Sequence, residues 1–329
     1  MANANSNLNT SPAADVDAFI DPATLMRIKN LQLRAKVVVE GFYNGLHRSP
    51  FHGFSVEFSE YRQYSPGDDT RYLDWRLFAR TDRYFIKQFE DETNRRCYVI
   101  LDMSRSMNYG SLAYSKMEYA RTLAGTLAYY FTLQKDNVGL FSFDQAVKDF
   151  VPARHRPGHL QRIMACLAKE TSGSGTDLIS PLDQVASLVK KRGLVILISD
   201  LLASLESLQQ SLSYLRARGH ELLILRTLDP AELDFPFENA SLFRDIESQS
   251  EIYVDPEVAK AEYQQRFQEH QRQVQDICHR LGIDFTVMRT DEALERALFD
   301  LLNTQMRMGR QVTHRANRNS AGGNSRRNE

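Results

Sequence analysis

Cys97-Tyr98-Val99-Ile100-Leu101-Asp102-Met103-Ser104-Arg105-Ser106 is the stretch on which the fold turns. Its first five residues are continuously apolar, the pattern of a strand buried on both faces. It runs without a break into an acid and two hydroxyls at alternate positions. A second run of the same kind, Leu194 to Ser199, passes directly into Asp200. Val138–Phe143 and Glu221–Leu228 are further strands, Val147–Val151 is a short edge strand, and Ile283–Met288 is a last strand. Between them apolar residues recur at helical spacing. Met117, Ala120, Leu123, Leu127 and Tyr130 form one set; Leu160, Ile163, Met164 and Leu167 a second; Leu182, Val185 and Val189 a third. Leu205–Leu215 is also helical, and a helix through Leu294, Leu298 and Leu301 follows the last strand. Strands that alternate with helices predict an α/β fold: a doubly wound, mostly parallel sheet with helices on both faces.

Asp255-Pro256 opens a long helix, with Asp as N-cap and Pro at the first helical position, and Gly282 closes it. Residues 229–255 hold no helical period and are expected to form a small β insertion, with a hairpin of Phe243–Ile246 and Glu251–Val254. The main domain is therefore expected over 96–228 and 256–305. Upstream, Asp21-Pro22 starts an amphipathic helix through Leu25, Ile28, Leu31 and Leu33. Residues 19–95 form an N-terminal extension that contains strands, expected to pack on the main domain. Phe54, Val56 and Phe58 alternate as in a half-buried strand, and Phe85, Ile86 and Phe89 mark a further apolar segment. Residues 1–18 and the Arg-rich tail 309–329 have too little apolar content to order themselves and read as disordered.

Of the 329 residues, 42% are hydrophobic and 25% charged, which suits a globular chain with a real core. A formal net charge of -1 excludes a global field that would recruit nucleic acid or an anionic membrane. No apolar run approaches the ~18 residues that a membrane span needs. The N-terminus has neither the basic start nor the apolar core of a signal peptide. Cys97, Cys166 and Cys278 are odd in number, far apart and set in apolar stretches, which predicts buried free thiols in a reducing compartment. A cytoplasmic protein is expected.

In an open parallel sheet, ligands bind at the carboxyl edge of the strands. There the sequence puts Asp102, Ser104, Ser106 and Asp200, with Thr176 on the small-residue loop Ser172-Gly173-Ser174-Gly175-Thr176-Asp177. All are hard oxygen donors, and no His or Cys set has metal spacing nearby. That donor set suits Mg²⁺ or Mn²⁺ rather than zinc or copper. The hydroxyls are neutral, so a dication held there keeps charge enough to attract an external carboxylate. Taken separately, these residues have plainer readings: Ser and Asp after a strand also cap helices, and a Gly-rich loop also cradles phosphate, although this one lacks the Lys-Ser/Thr of a P-loop.

Asp-x-Ser-x-Ser after the first strand, with a later Thr and a later Asp, resembles the metal-ion-dependent adhesion site of von Willebrand factor type A domains. The resemblance implies that Ser104, Ser106 and Thr176 contact the metal directly or nearly so. It implies that Asp102 and Asp200 act directly or through water, and that a partner's Asp or Glu completes the shell. Further upstream stand Glu57-Phe58, Arg62-Gln63-Tyr64, Pro66-Gly67-Asp68-Asp69, Arg71, Asp74-Trp75, Ala79-Arg80 and Lys87 through Glu92. They are similar to the signature of a bacterial family, the "domain of unknown function fifty-eight" group, over roughly residues 35 to 300. Members are often encoded beside MoxR-type AAA ATPases, which implies an adaptor or chaperone-like role.

In this signature segment Arg and Asp alternate around the only tryptophan. One reading is a buried ion-pair network; the other is a docking surface that uses Arg71, Trp75 and Arg80, with Arg105 at the metal edge. The function expected is a metal-dependent protein-interaction module with no catalytic residue. A Mg/Mn-dependent hydrolase or phosphatase, with Asp102 near the ion, is the alternative; against it, Ser104 stands where an aspartate-nucleophile phosphatase has a second acid, and no lysine is in an obvious supporting position. A scaffold with a vestigial site is the third.

Overall fold

A computed structural model describes residues 19–48, 61–64, 75–87, 95–169, 179–239, 241–244 and 251–301. The chain divides into two compact units, 46–94 and the remainder.

In the larger unit, α1 (Pro22–Met26) and α2 (Leu31–Arg48) precede β3 (Arg96–Asp102), α4 (Lys116–Leu133), β4 (Asn137–Phe143) and β5 (Val147–Arg154). Next come α5 (His159–Leu167), α6 (Ile179–Leu188), β6 (Leu194–Ser199), α7 (Leu205–Ala217) and β7 (Glu221–Leu228). The chain continues through α8 (Pro230–Asp234), β8 (Ser241–Arg244), β9 (Glu251–Val254), α9 (Pro256–Leu281) and β10 (Asp284–Arg289), and residues 295–301 are helical. Among the described residues the main sheet has six strands in the order β5-β4-β3-β6-β7-β10. All neighbours are parallel except β4 and the edge strand β5.

The order follows from what each strand must bury. β6 is buried at every residue, and β3 at all but its first. Both therefore belong in the middle of the sheet, where helices cover both faces. Tyr98, Ile100, Phe141 and Phe143 form one core with Leu182 and Val185 of α6, Leu208 and Leu212 of α7, and Val274 and Ile277 of α9. The intervening residues Cys97, Val99 and Leu101 are fully buried on the other side, as the period of two requires. There α4 packs on the sheet with α5 beside it. Ala35, Val38, Val39 and Phe42 give α2 a buried stripe, and Phe42 meets Tyr130 and Phe299 edge-on.

The helix expected from Asp21 through Leu33 is two helices. Asp21 caps α1 by accepting the amide of Thr24, and the chain then leaves helical geometry until Leu31. Arg34 accounts for the break: its guanidinium takes the carbonyls of Met26 and Ile28, which a continuous helix would use internally. Leu33 is 47% exposed and joins no apolar stripe. A second difference lies after Asp229, where α8 forms instead of aperiodic chain. Asp229 accepts the amide of Ala231, and Glu232 reaches back to the amide of Asp229. A capping box can order one turn of helix too short to show an apolar period. β8 and β9 pair antiparallel, from Ser241 opposite Val254 to Arg244 opposite Glu251. The long helix α9 has the predicted ends: Asp255 accepts the amide of Glu257, and Gly282 takes φ 63°, a conformation that favours glycine.

In the smaller unit, β1 (Tyr61–Gln63) pairs antiparallel with β2 (Phe85–Lys87), and α3 (Trp75–Thr81) lies between them in sequence. Phe78 stacks on Tyr84 at 4.5 Å and 15°, and Tyr64 meets Tyr84 edge-on. The expected strand Phe54–Phe58 lies outside the described residues. Among the described residues no helix is long and apolar enough to cross a membrane. All three cysteines are free. Cys97 and Cys278 are buried, whereas Cys166 is only half-buried, because it stands beside the apolar stripe of α5 rather than on it.

Candidate metal centre

Counted along the chain, the strands of the main sheet lie in the order 3-2-1-4-5-6, with β3 first and β6 fourth. The order reverses between β3 and β6, so the connections leave these two strands in opposite directions, and the carboxyl ends of such a pair are where open α/β sheets bind ligands. Asp102 is the last residue of β3, and Asp200 directly follows β6. The topology thus places both acids at the switch point.

Asp102 is fully buried. Its Oδ1 accepts the amide of Ser104 at 2.9 Å, and its Oδ2 accepts the hydroxyl of Ser199 at 2.6 Å. Burial, and then the nearby Asp200 carboxylate, push its pKa up to about 6. This is the signature of two carboxylates too close to be comfortable in a poorly solvated place. Past Asp102 the chain curls into a 3-10 turn, Arg105–Asn108. That turn brings the Oγ atoms of Ser104 and Ser106 within 3.0 Å of each other. Ser104 is buried and Ser106 half-buried, so the pair leads from the interior toward the surface. Beyond Asp200, Leu201 is held at φ 55° although it is neither glycine nor asparagine. Such backbone is uncommon for a bulky residue and gathers at functional sites. It turns the chain so that the Leu201 amide reaches Ser199 Oγ and the Leu202 amide faces Asp200 Oδ1.

The sequence reading found no lysine near these acids. The structure corrects that: Lys116 Nζ lies 2.8 Å from Asp200 Oδ2 and 2.6 Å from Glu232 Oε1. Burial works against its charge, but the two carboxylates hold its pKa above the ordinary value. Burial raises the pKa of Glu232 despite the lysine. On β7, opposite Ser199, the fully buried Arg226 donates Nε to the carbonyl of Asp200 at 2.9 Å and lies over the Phe267 ring. Burial lowers its pKa, and its Nη1 is buried without a hydrogen-bond partner. Asp229 is fully buried and accepts both the amide and the hydroxyl of Ser111.

Sequence reasoning missed Ser199, Lys116, Arg226 and Glu232. Two of them carried a signal: Ser199 ends the apolar run of β6 and Arg226 interrupts that of β7, which implies buried partners.

The candidate donors divide as follows. Asp102, Ser104, Ser106 and Asp200 gather at one edge, while Thr176 lies outside the described residues. Among the described residues no group of three or more His, Cys, Asp or Glu side chains is placed to hold a metal ion. A metal here would therefore depend on hydroxyls. Two observations fit one. First, three fully buried carboxylates, Asp102, Asp200 and Asp229, stand against two fully buried cations, Lys116 and Arg226. Second, in an octahedral shell with Mg–O near 2.1 Å, adjacent oxygens stand about 3.0 Å apart; the Oγ atoms of Ser104 and Ser106 stand 3.0 Å apart, joined by a hydrogen bond. Of the candidate docking residues, Trp75 is 63% exposed and Arg80 is exposed. Arg105 is half-buried on the 3-10 turn, and Arg71 lies outside the described residues.

Fold and site together define a doubly wound α/β protein with buried acids and hydroxyls gathered at its switch point. Residues 60–275 match the family model described as Protein of unknown function DUF58, and the chain belongs to that family. An uncharacterized protein of Mycobacterium tuberculosis is 27% identical over 282 residues, covering 84% of this chain and 87% of its own length. An uncharacterized protein of Mycobacterium bovis is similar to the same degree. Among solved structures, the conserved hypothetical protein BatB from Bacteroides thetaiotaomicron aligns with 65% of this chain and 99% of its own, at 16% identity and a TM-score of 0.46. An aerotolerance-related membrane protein from Bacteroides fragilis aligns with 64% and 99%, at 15% identity and a TM-score of 0.44.

Proposed function

We propose that this chain is a divalent-metal-dependent protein-interaction module whose sheet is of the von Willebrand factor type A kind. Ser104 and Ser106 hold Mg²⁺ or Mn²⁺, with Thr176, and Asp102 and Asp200 supply the negative field around it. The observation that carries the reading is the hydroxyl pair 3.0 Å apart beside two buried acids at the switch point, where burial and the neighbouring Asp200 raise the pKa of Asp102. The bound ion would supply Lewis acidity toward an external carboxylate. Asp102, held on both oxygens, fixes the turn that presents Ser104 and Ser106. Neutral hydroxyls leave room for a partner's Asp or Glu, and a MoxR-type AAA ATPase is the candidate partner that the family resemblance suggests.

Calorimetric titration of the full chain with Mn²⁺ tests the metal. Ser104→Ala and Ser106→Ala should each weaken binding by about tenfold or more. A pull-down repeated with chelator, and with Asp102→Ala, tests the partner. Absence of Mn²⁺ binding at millimolar concentration, or capture indifferent to both treatments, sinks the reading.

A metal-dependent hydrolase is the second reading, and Lys116 beside Asp200 favours it over the expectation from sequence. Against it, Asp102 is fully buried with both oxygens engaged, so it is placed as an acceptor rather than as a nucleophile. Phosphate release in Mg²⁺ or Mn²⁺, abolished by Asp102→Asn, would favour the enzyme.

A further inference from the structure

Lys116 is the first residue of α4, directly behind the N-cap Ser115. Local physics disfavours a cation there. The helix dipole carries partial positive charge at that end, and a buried ammonium loses its hydration. Yet the Lys116 side chain is 0% exposed. A lysine serving the helix would stand in its last turn, and a core ion pair needs one carboxylate. Lys116 has two, from separate elements: Asp200 after β6 and Glu232 on α8. Glu232 is itself anchored, since its Oε2 accepts the amide of Asp229. The ammonium is thus shared between Asp200 and an anchored Glu232.

We infer that Lys116 is a built-in rival cation, which occupies Asp200 Oδ2 and keeps that carboxylate from closing on the metal, so that the ion rests on neutral hydroxyls and depends on a partner's acid. This rests on the metal reading above. The ammonium and a dication repel each other while both attract Asp200, and at low effective dielectric neither effect is screened away. Lys116 therefore weakens binding of the metal alone. It also leaves the ion under-neutralised, which is the condition for recruiting an external carboxylate. Lys116 is a positioning residue here and touches no substrate.

The test is Mn²⁺ alone, titrated into the full chain and read by calorimetry and by the electron paramagnetic resonance of free Mn²⁺. Lys116→Met should bind Mn²⁺ about tenfold more tightly than the parent, and Mn²⁺ should raise its melting temperature further. Lys116→Arg keeps the charge and should stay within about threefold. Glu232→Gln frees the lysine to lean wholly on Asp200 and should weaken Mn²⁺ binding about threefold or more. A lysine with only a structural role gives the opposite result for Lys116→Met, because a loosened site binds worse. Unchanged or weaker binding by Lys116→Met, with the parent binding normally, overturns the inference and leaves the metal reading intact. If Lys116→Met does not fold, Glu232→Gln decides, and affinity equal to the parent overturns the inference. A parent chain that binds no Mn²⁺ removes the metal reading, and this inference with it.

Discussion

Asp102→Asn should make the metal-free protein more stable at neutral pH, although it removes a buried acid from a complete set of hydrogen bonds. The folded protein raises the Asp102 pKa from 3.8 to about 6, through burial and the neighbouring Asp200. Between those values the folded chain keeps a proton that the unfolded chain has released. Stability therefore falls as pH rises through that window, and the full cost is present above it. A shift of roughly two units corresponds to about 3 kcal/mol. Asn mimics the protonated carboxyl: its oxygen still accepts the Ser104 amide, while its NH₂ meets Ser199 Oγ with the donor role reversed. That rearrangement costs about 1 kcal/mol, so a net gain of about 2 kcal/mol is expected. For a chain of 329 residues the melting temperature rises by about 3 °C. The assay is paired urea and thermal melts of parent and variant, with chelator, at pH 7.5 and pH 5. The difference should shrink at pH 5, where the parent's Asp102 is largely protonated, and comparing the pair cancels other titrating groups. A variant less stable than its parent at pH 7.5, or a gain that does not change with pH, would refute the reasoning. The same substitution should lower the response to Mn²⁺, because the cost that an ion could relieve is already gone.

Three further predictions rest on packing. Arg226→Met removes the donor to the Asp200 carbonyl and the cation over Phe267; it should cost about 2–4 kcal/mol in urea unfolding, and a loss under 1 kcal/mol would mean that the buried guanidinium is dispensable. Gly193→Ala would place a Cβ 2.4 Å from the Arg96 carbonyl, where β6 starts alongside β3; a loss of about 1–3 kcal/mol is expected, and a neutral result would show that the close approach relaxes. Asp229→Ala takes acceptors from the amides of Ala231 and Ser111 and from the Ser111 hydroxyl. It should cost about 2–3 kcal/mol and speed amide exchange at Ser111 and Ala231, and unchanged exchange at both would contradict the capping role.

The amino-acid sequence by itself determined the strands of the sheet, because continuous apolar runs such as Cys97–Leu101 and Leu194–Ile198 are stable only where both faces are covered. It determined the ends of α9, since Asp255-Pro256 and Gly282 act through their own backbone and cap geometry. It also brought out Asp102, Ser104, Ser106 and Asp200 as candidates, because each directly follows a buried strand or the turn after it. Only the tertiary structure decided that β3 and β6 are neighbours at the point where the strand order reverses, for order is a matter of which long-range pairings bury most surface. Only it placed Lys116 of α4 and Glu232 of α8 against Asp200. In the sequence those two are ordinary charges, one at a helix start and one in a stretch without period. Their meaning comes from a shared, poorly hydrated edge, where a charge must find its opposite among residues 84 and 116 positions away.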